Sequence, residues 1–313
     1  MIDESSETAM PRSAVRDVHG VLLLDKPVGF TSNQALQRIK RLFGARKAGH
    51  TGSLDPLASG MLPVCLGQAT KVSAFLLDAN KHYIVSGRLG EKTSTGDAEG
   101  EVIASEAFQG ITEKRLASVL DEFRGSIQQI PPMHSAIKHK GQPLYKLARR
   151  GIEIEREPRE VQIHELTLLE LGDEELTLEV RCSKGTYVRT LVESIAEAAG
   201  TYAHVASLRR LSVGPYGEGM HRLEDLEARS RSGQDELDEA LLPIDSALQD
   251  WPAMSLPSDS AYFLLQGQAV TAPRNVPEGL VRLYTGEGPR FLGVGELQRD
   301  GRVKPKRLFP GLH

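Results

Sequence analysis

The sequence predicts an α+β protein with a second, smaller β domain at its C-terminal end, and three observations carry that prediction. Helical periodicity bounded by capping residues occurs three times, at about residues 31–44, 112–125 and 186–200. Short strand-like runs stand between those helices, two of them joined by the tight turn Gly172-Asp173-Glu174. From about 252 onward short alternating runs take over, separated by turns.

The elements follow in order. Residues 20–25 form an apolar run ending at Asp25-Lys26-Pro27-Val28-Gly29, a strand entering a Pro/Gly turn. Thr31 or Ser32 then caps a helix whose apolar residues Ala35, Leu36, Ile39, Leu42 and Phe43 share one face, with Gly44 as its stop. Residues 45–70 are rich in Gly, Pro, Ser and Thr and predict a loop-dominated segment, which in a compact domain points to function. A strand with Tyr83, Val85 and Leu89 spans Lys81 to Gly90, followed by the polar turn segment Lys92 to Gly100. Thr112 caps a second helix with Leu116, Val119, Leu120 and Phe123 inward and Gly125 just past its end. Strands at about 160–171 and 175–182 precede Ser183-Lys184-Gly185-Thr186. A third helix follows, with Val188, Leu191, Val192, Ile195 and Ala199 inward and Gly200 closing it. In the C-terminal region the runs are Leu280 to Tyr284, Phe291 to Leu297 and Arg302 to Phe309, with turns at Gly286 to Pro289 and at Asp300-Gly301.

Length and composition bound the function. The 313 residues suffice for one large domain plus a small one, and 40% hydrophobic with 26% charged residues is ordinary for a globular chain. The longest apolar runs are pieces such as Val21-Leu22-Leu23-Leu24, far short of the ~20 residues of a membrane span. The N-terminus is acidic and polar, opposite to a secretory leader, so residues 1–17 are expected to be a disordered tail. Two distant cysteines, Cys65 and Cys182, argue against structural zinc and disulfides and predict a cytoplasmic protein. The net charge of −4 hides local contrast. Acidic residues crowd 223–250, whereas basic ones cluster at Arg38 to Lys47, at Lys138 to Arg159, and at Lys304, Lys306 and Arg307. Such patches permit nucleic-acid binding without establishing it.

The run Gly52-Ser53-Leu54-Asp55-Pro56-Leu57-Ala58-Ser59-Gly60 bears the chemistry. An aspartate before proline is by itself the mark of a turn. The overlapping Gly44 to Thr51 matches the spacing of a phosphate-binding loop, but His50 stands where a lysine must supply fixed charge, and a helix rather than a strand precedes it. Nucleotide hydrolysis is excluded on that ground.

As a whole, Ala48 through Pro63 resembles the signature of the bacterial tRNA pseudouridine-55 synthase (TruB) family, whose G-x-L-D-P-x-A-[ST]-G core surrounds a nucleophilic aspartate. Further matches stand in the family's order: Val21 to Pro27, Lys81-His82-Tyr83, Gln129 to Met133, Ser183 to Arg189, and His204-Val205 through Leu208-Arg209-Arg210. Ser53 replaces a usual Ala, and His134 a usual Tyr.

The resemblance implies a catalytic domain over 18–250, with a mixed, largely antiparallel sheet flanked by helices. Within it, 223–250 is an acidic connecting segment, and a small PUA-like RNA-binding β-barrel fills 251–313. It implies isomerisation of a T-loop uridine in tRNA by base flipping, without cofactor or metal, and without an obligatory protein partner in a monomeric enzyme. Asp55 would be the nucleophile, with Arg189 pairing with it to hold it ionised. Tyr83 would stack on the flipped base and share in proton transfer. Tyr187 and Leu208 would line the pocket, His50 would fill the space the base leaves, and Lys26 would join the substrate-binding residues. Open beside this stand a synthase for another RNA and an RNA-binding or tRNA-folding module.

Overall fold

The computed structural model describes residues 15–106, 111–273, 277–286 and 290–310. Among these, nine strands form one mixed, largely antiparallel sheet. In chain order they are β1 (Gly20–Lys26), β2 (Ala48–His50), β3 (Ala58–Leu66), β4 (Lys81–Leu89), β5 (Gly125–Gln129), β6 (Arg159–Leu171), β7 (Glu175–Cys182), β8 (Ala203–Val213) and β9 (His221–Arg222). They lie in the order β9-β1-β3-β8-β4-β7-β6-β5, with β2 added beside β3. The pairs β1/β9 and β3/β8 are parallel.

The expected helices form where their caps place them: α1 (Ser32–Leu42), α2 (Glu113–Glu122) and α3 (Val188–Ala199). Thr31 accepts from the Gln34 amide while Gln34 reaches back to the Thr31 amide, a reciprocal cap of the kind whose loss costs about 1 kcal/mol. Gly200, at φ 87°, ends α3 in the left-handed conformation that glycine adopts without strain. Helices α2 and α3 pack their apolar stripes over β4, β6, β7 and β8 in one core.

The middle of the sheet corrects the sequence reading. Residues 45–70, expected as loop, contain the nine-residue strand β3. Its continuous run Met61 to Leu66 is buried on both faces. Leu62, Val64 and Leu66 face α1 in one core, and Met61 and Cys65 enter another. A strand covered on both sides shows no alternation, and Gly60 and Pro63 disguise it further. Strand β8 was seen only as a motif, because its arginines interrupt an apolar pattern.

The acidic stretch after β9 forms helices at Leu223–Ser232 and Gln234–Asp238, whose Leu223, Leu226 and Leu237 join the core under α1. Of the stretch expected as a disordered tail, residues 1–14 lie outside the described residues, but Arg16 donates its amide to Gly44 at 2.7 Å and its guanidinium to Gln234 and Asp238. That ion pair anchors the chain from Arg16 onward.

The C-terminal unit is a curled five-stranded half-barrel sheet of PUA-like form, in the order Ala253–Leu256, Gly279–Thr285, Arg290–Leu297, Arg302–Leu308, Val270–Thr271. Gln298 and Arg302 close the turn around Asp300-Gly301. The turn expected at Gly286 to Pro289 lies outside the described residues beyond Gly286. The unit docks on the main body through Val294 and Phe309, which share a core with Val21, Leu23 and Cys65. Phe75 meets Trp251 edge-on at 4.8 Å beside that junction. No helix among the described residues is long and apolar enough to cross a membrane.

Candidate active site

The adjacent strands β3, β8 and β4 build the site. Ala58 at the start of β3 pairs with Leu208 on β8, and Arg210 on β8 pairs with Tyr83 on β4. The loop entering β3 carries Asp55. Ser32 at the head of α1 fixes that loop, accepting the Leu54 amide at 2.7 Å and donating to the Leu54 carbonyl at 3.1 Å. The Asp55 carbonyl accepts the Ala58 amide at 3.0 Å, and the Pro56 carbonyl accepts the Gly29 amide at 2.8 Å. The loop is thereby tied to α1, to the β1–α1 turn and to its own strand.

Gly60 is where the backbones come closest. A Cβ there would lie 2.2 Å from the Arg210 carbonyl oxygen, and its φ of +97° is one that side chains rarely adopt. Only glycine lets β3 approach β8 this closely.

Asp55 and Arg189 are in contact, Oδ2 to Nε at 3.0 Å, with the Asp55 side chain 38% exposed and that of Arg189 only 6%. Arg189 sits in the first turn of α3 and spends its remaining donors inward. Nη1 meets Asp97 Oδ2 at 3.3 Å and the Thr95 carbonyl at 2.6 Å, and Nη2 donates to the His134 carbonyl at 2.8 Å. Asp97 is itself held by the Thr95 hydroxyl at 2.5 Å and the Glu99 amide at 3.2 Å.

Arg189 draws the Asp55 carboxyl down, as expected of a paired cation, but burial outweighs it and Asp97 adds to the rise, so the net direction is upward. Because Arg189 also answers Asp97, less of its charge is left for Asp55. The neighbouring Glu99 is likewise raised, by burial and then by Asp97 and Asp55.

Tyr83 and Leu208 are buried in the same core as Leu54 and Ala58, directly under the loop. Burial raises the Tyr83 phenol above its ordinary range, and Arg210 draws it back. Tyr187, just before α3, is gripped by Gln129, which accepts its amide at 2.7 Å and donates to its carbonyl at 3.0 Å. His50, on β2, has a buried Nδ1 without a hydrogen-bond partner, and burial followed by Arg210 lowers its pKa. Lys26 takes a different place from the substrate contact expected of it. It is fully buried, and its ammonium donates to the carbonyls of Pro27 at 2.9 Å, Phe30 at 2.6 Å and Pro56 at 3.5 Å. Burial lowers its pKa to about 8, with Asp55 opposing. Lys26 therefore shapes the loop from behind.

The site thus brings Asp55 and Arg189 into contact, with Lys26, Tyr83 and Tyr187 close enough to feel the Asp55 charge. His50 feels the charge of Arg210. Three contributors escaped the sequence reading: Asp97, hidden in a polar turn, and Gln129 and Arg210, present in quoted motifs but given no task. Among the described residues no group of His, Cys, Asp and Glu is arranged to hold a metal ion. Chemically, a carboxylate at the surface backed by a buried, immobilised cation suits attack on an electron-poor centre that arrives from solution.

Three family models match successive parts of the chain: TruB family pseudouridylate synthase (N terminal domain) over residues 40–188, tRNA pseudouridylate synthase B C-terminal domain over 189–249, and Pseudouridine synthase II TruB, C-terminal, over 252–309. The chain is 54% identical over 296 residues to a tRNA pseudouridine synthase B of Nitrosococcus oceani, covering 94% of this chain and 96% of that one. It is 52% identical over 304 residues to the protein of the same name from Coxiella burnetii, covering 96% and 98%. Among solved structures, a chain of a Cbf5-Nop10-Gar1 complex superposes with a TM-score of 0.73 at 26% identity, covering 92% of this chain and 84% of that one.

Proposed function

Since the chain belongs to the TruB family of pseudouridylate synthases and isomerises uridine to pseudouridine in tRNA, we propose that its target is uridine 55 of the T loop and that Asp55 is its nucleophile. The observation that carries this reading is the contact between the accessible Asp55 carboxylate and the buried Arg189 guanidinium at 3.0 Å. Making pseudouridine breaks the C1′–N1 bond, turns the base and joins C1′ to C5. The C5 proton is given up, N1 is protonated, and no electrons enter or leave. A carboxylate suits an oxocarbenium-like sugar centre, so Asp55 acts on the ribose.

The remaining residues divide the work of holding an extruded nucleotide. Tyr83 stacks on the base, Tyr187 and Leu208 wall the pocket, and His50 enters the gap the base leaves in the T loop. Lys26 serves indirectly, bracing the carbonyls of Phe30 and Pro56 so that the nucleophile loop keeps its shape. The basic stretch from Lys138 to Arg159 and the C-terminal Lys304, Lys306 and Arg307 supply phosphate contacts. The enzyme works as a single copy in the cytoplasm, where its buried thiols Cys65 and Cys182 stay reduced.

The test is incubation of the purified chain alone with unmodified tRNA transcript, followed by mapping of pseudouridine at nucleotide resolution. One product at the T-loop uridine is expected. Product at another position, or a requirement for a second protein, would overturn the assignment.

A further inference from the structure

Arg210 has no part in the reading above, yet its surroundings are those of a working residue. It is 1% exposed, and no carboxylate among the described residues lies within ion-pair distance of it. Its Nε donates to the Met61 carbonyl at 2.7 Å and its Nη2 to the Gly52 carbonyl at 3.1 Å. Gly52 precedes the segment that carries Asp55, and Met61 follows it inside β3. The backbone of Arg210 is equally confined, paired with Gly60 on one side and Tyr83 on the other.

Arg210 and Tyr83 stand directly opposite each other on β8 and β4, so their side chains are cross-strand neighbours on one face of the sheet. The guanidinium charge acts against the burial of the phenol, while Asp55 acts on it in the opposite sense. Carbonyl dipoles solvate a buried cation but leave its net charge in place, whereas a carboxylate would cancel it. Its field therefore reaches Tyr83, His50, Lys26 and Lys81 unspent.

We propose that Arg210 is a positioning residue for the reaction, acting through Tyr83. The carbonyls of Gly52 and Met61 fix the guanidinium beside its cross-strand neighbour Tyr83, where its charge strengthens the phenol as a hydrogen-bond donor to the extruded base. The inference rests on the placing of Tyr83 in the base pocket given above. It adds the group that acts on the phenol whose share in proton transfer the resemblance implies. It also assigns Arg210 a task that a conservative lysine cannot fill, because one ammonium cannot span both carbonyls in the planar geometry of a guanidinium.

The experiment is a double-mutant cycle in single-turnover pseudouridine formation, with tRNA affinity measured alongside. Arg210→Lys and Arg210→Met are made in the unaltered chain and in the Tyr83→Phe chain. Arg124→Met is the control, since that arginine likewise caps a carbonyl, that of Leu166 at 3.1 and 2.7 Å, on β6 three strands from β8. Arg210→Lys is expected to slow the chemical step about thirtyfold with affinity unchanged within about threefold, and to slow the Tyr83→Phe chain by less than about threefold. The control lowers thermal stability and leaves the rate per folded molecule unchanged.

Equal slowing in both backgrounds would overturn the inference, because Arg210 would then act on the loop or the fold and not through the phenol. So would a rate for Arg210→Met equal to that of the unaltered chain. Should Arg210→Met fail to fold, the lysine variant carries the cycle. A fully active Tyr83→Phe chain also overturns the inference while leaving the stacking role standing. Full activity of Tyr83→Ala would remove Tyr83 from the pocket altogether.

Discussion

On one wall of the cleft Arg189 is matched by two carboxylates, Asp55 at 3.0 Å and Asp97 at 3.3 Å. On the other wall Lys26, Lys81 and Arg210 are buried with their N–H groups turned to carbonyl oxygens. The first sets one cation against two carboxylates, and its ion pairs lock Asp55 in place. The second keeps a surplus of positive charge out of water, which is costly unless something negative or electron-rich is to be met there. Tyr83 feels both Arg210 and Asp55.

The comparison breaks most completely at the carboxylate. Asp55→Asn is nearly isosteric, and turnover should fall to the background of the assay. Affinity for tRNA should stay within about tenfold, roughly 1.4 kcal/mol, because phosphate contacts elsewhere are untouched. Retained turnover in the purified variant would end the nucleophile assignment and shift attention to the cation wall. Next in size comes Tyr83→Ala, which removes the residue that feels both walls. It should lose stacking worth about 1–3 kcal/mol per base, together with the phenol, and the loss should appear in the rate of the chemical step.

Asp97→Asn sharpens the comparison by leaving Arg189 with Asp55 alone. Asp97 raises the Asp55 carboxyl, so its removal should let that group ionise more readily. The sign follows directly. Activity needs the Asp55 anion, so the unaltered enzyme should lose activity on the acid side above the pH at which a free aspartate titrates. In Asp97→Asn that acid limb should move to lower pH. The maximal rate should drop by about tenfold, because Arg189 loses one of the groups that aim it. An acid limb that stays where it was would mean that Asp97 does not set the charge state of Asp55.

How much of these walls was legible in the sequence differs between them. The frame of the Arg189 wall could be read: the cap at Thr31, the inward stripe of α3 that delivers Arg189, and the paired strands β6 and β7 all announce themselves by periodicity and turns. Asp97 could not, because an aspartate in a polar turn flanked by Gly96 and Gly100 looks like any solvated residue. Burial, which no pattern around Asp55 announces, is the main reason its carboxyl is raised, and Asp97 adds to it. The cation wall was nearly invisible. Strand β3 is apolar on both faces and carries Gly60 and Pro63, so it passed for loop. Arg210 sits in a strand beside Arg209, whose guanidinium instead pairs with Asp25 near the surface. Nothing in an Arg-Arg pair tells which of the two turns inward; only the carbonyls of Gly52 and Met61, brought together by folding, decide it.

The smallest expected effect concerns stability and tests whether the cation wall is costly. Burial lowers Lys26 and Lys81 each to about 8, well below a free lysine. A lysine with a depressed pKa in the folded state loses its proton there first, so between pH 8 and the free-lysine range the unfolded chain binds more protons. Stability should therefore rise with pH across that window. Below pH 8 the full cost of the buried charge is felt. In Lys26→Met that cost is gone, but three carbonyls lose a donor, which adds a penalty of opposite sign that does not change with pH. The informative quantity is therefore the slope. The difference in Tm between Lys26→Met and the unaltered chain should shift in favour of the unaltered chain as pH is raised from 7.5 to 10, while Lys81 keeps part of the rise in both. A difference independent of pH would mean that Lys26 is not held charged at a cost, and that the carbonyls of Pro27, Phe30 and Pro56 solvate it as well as water does.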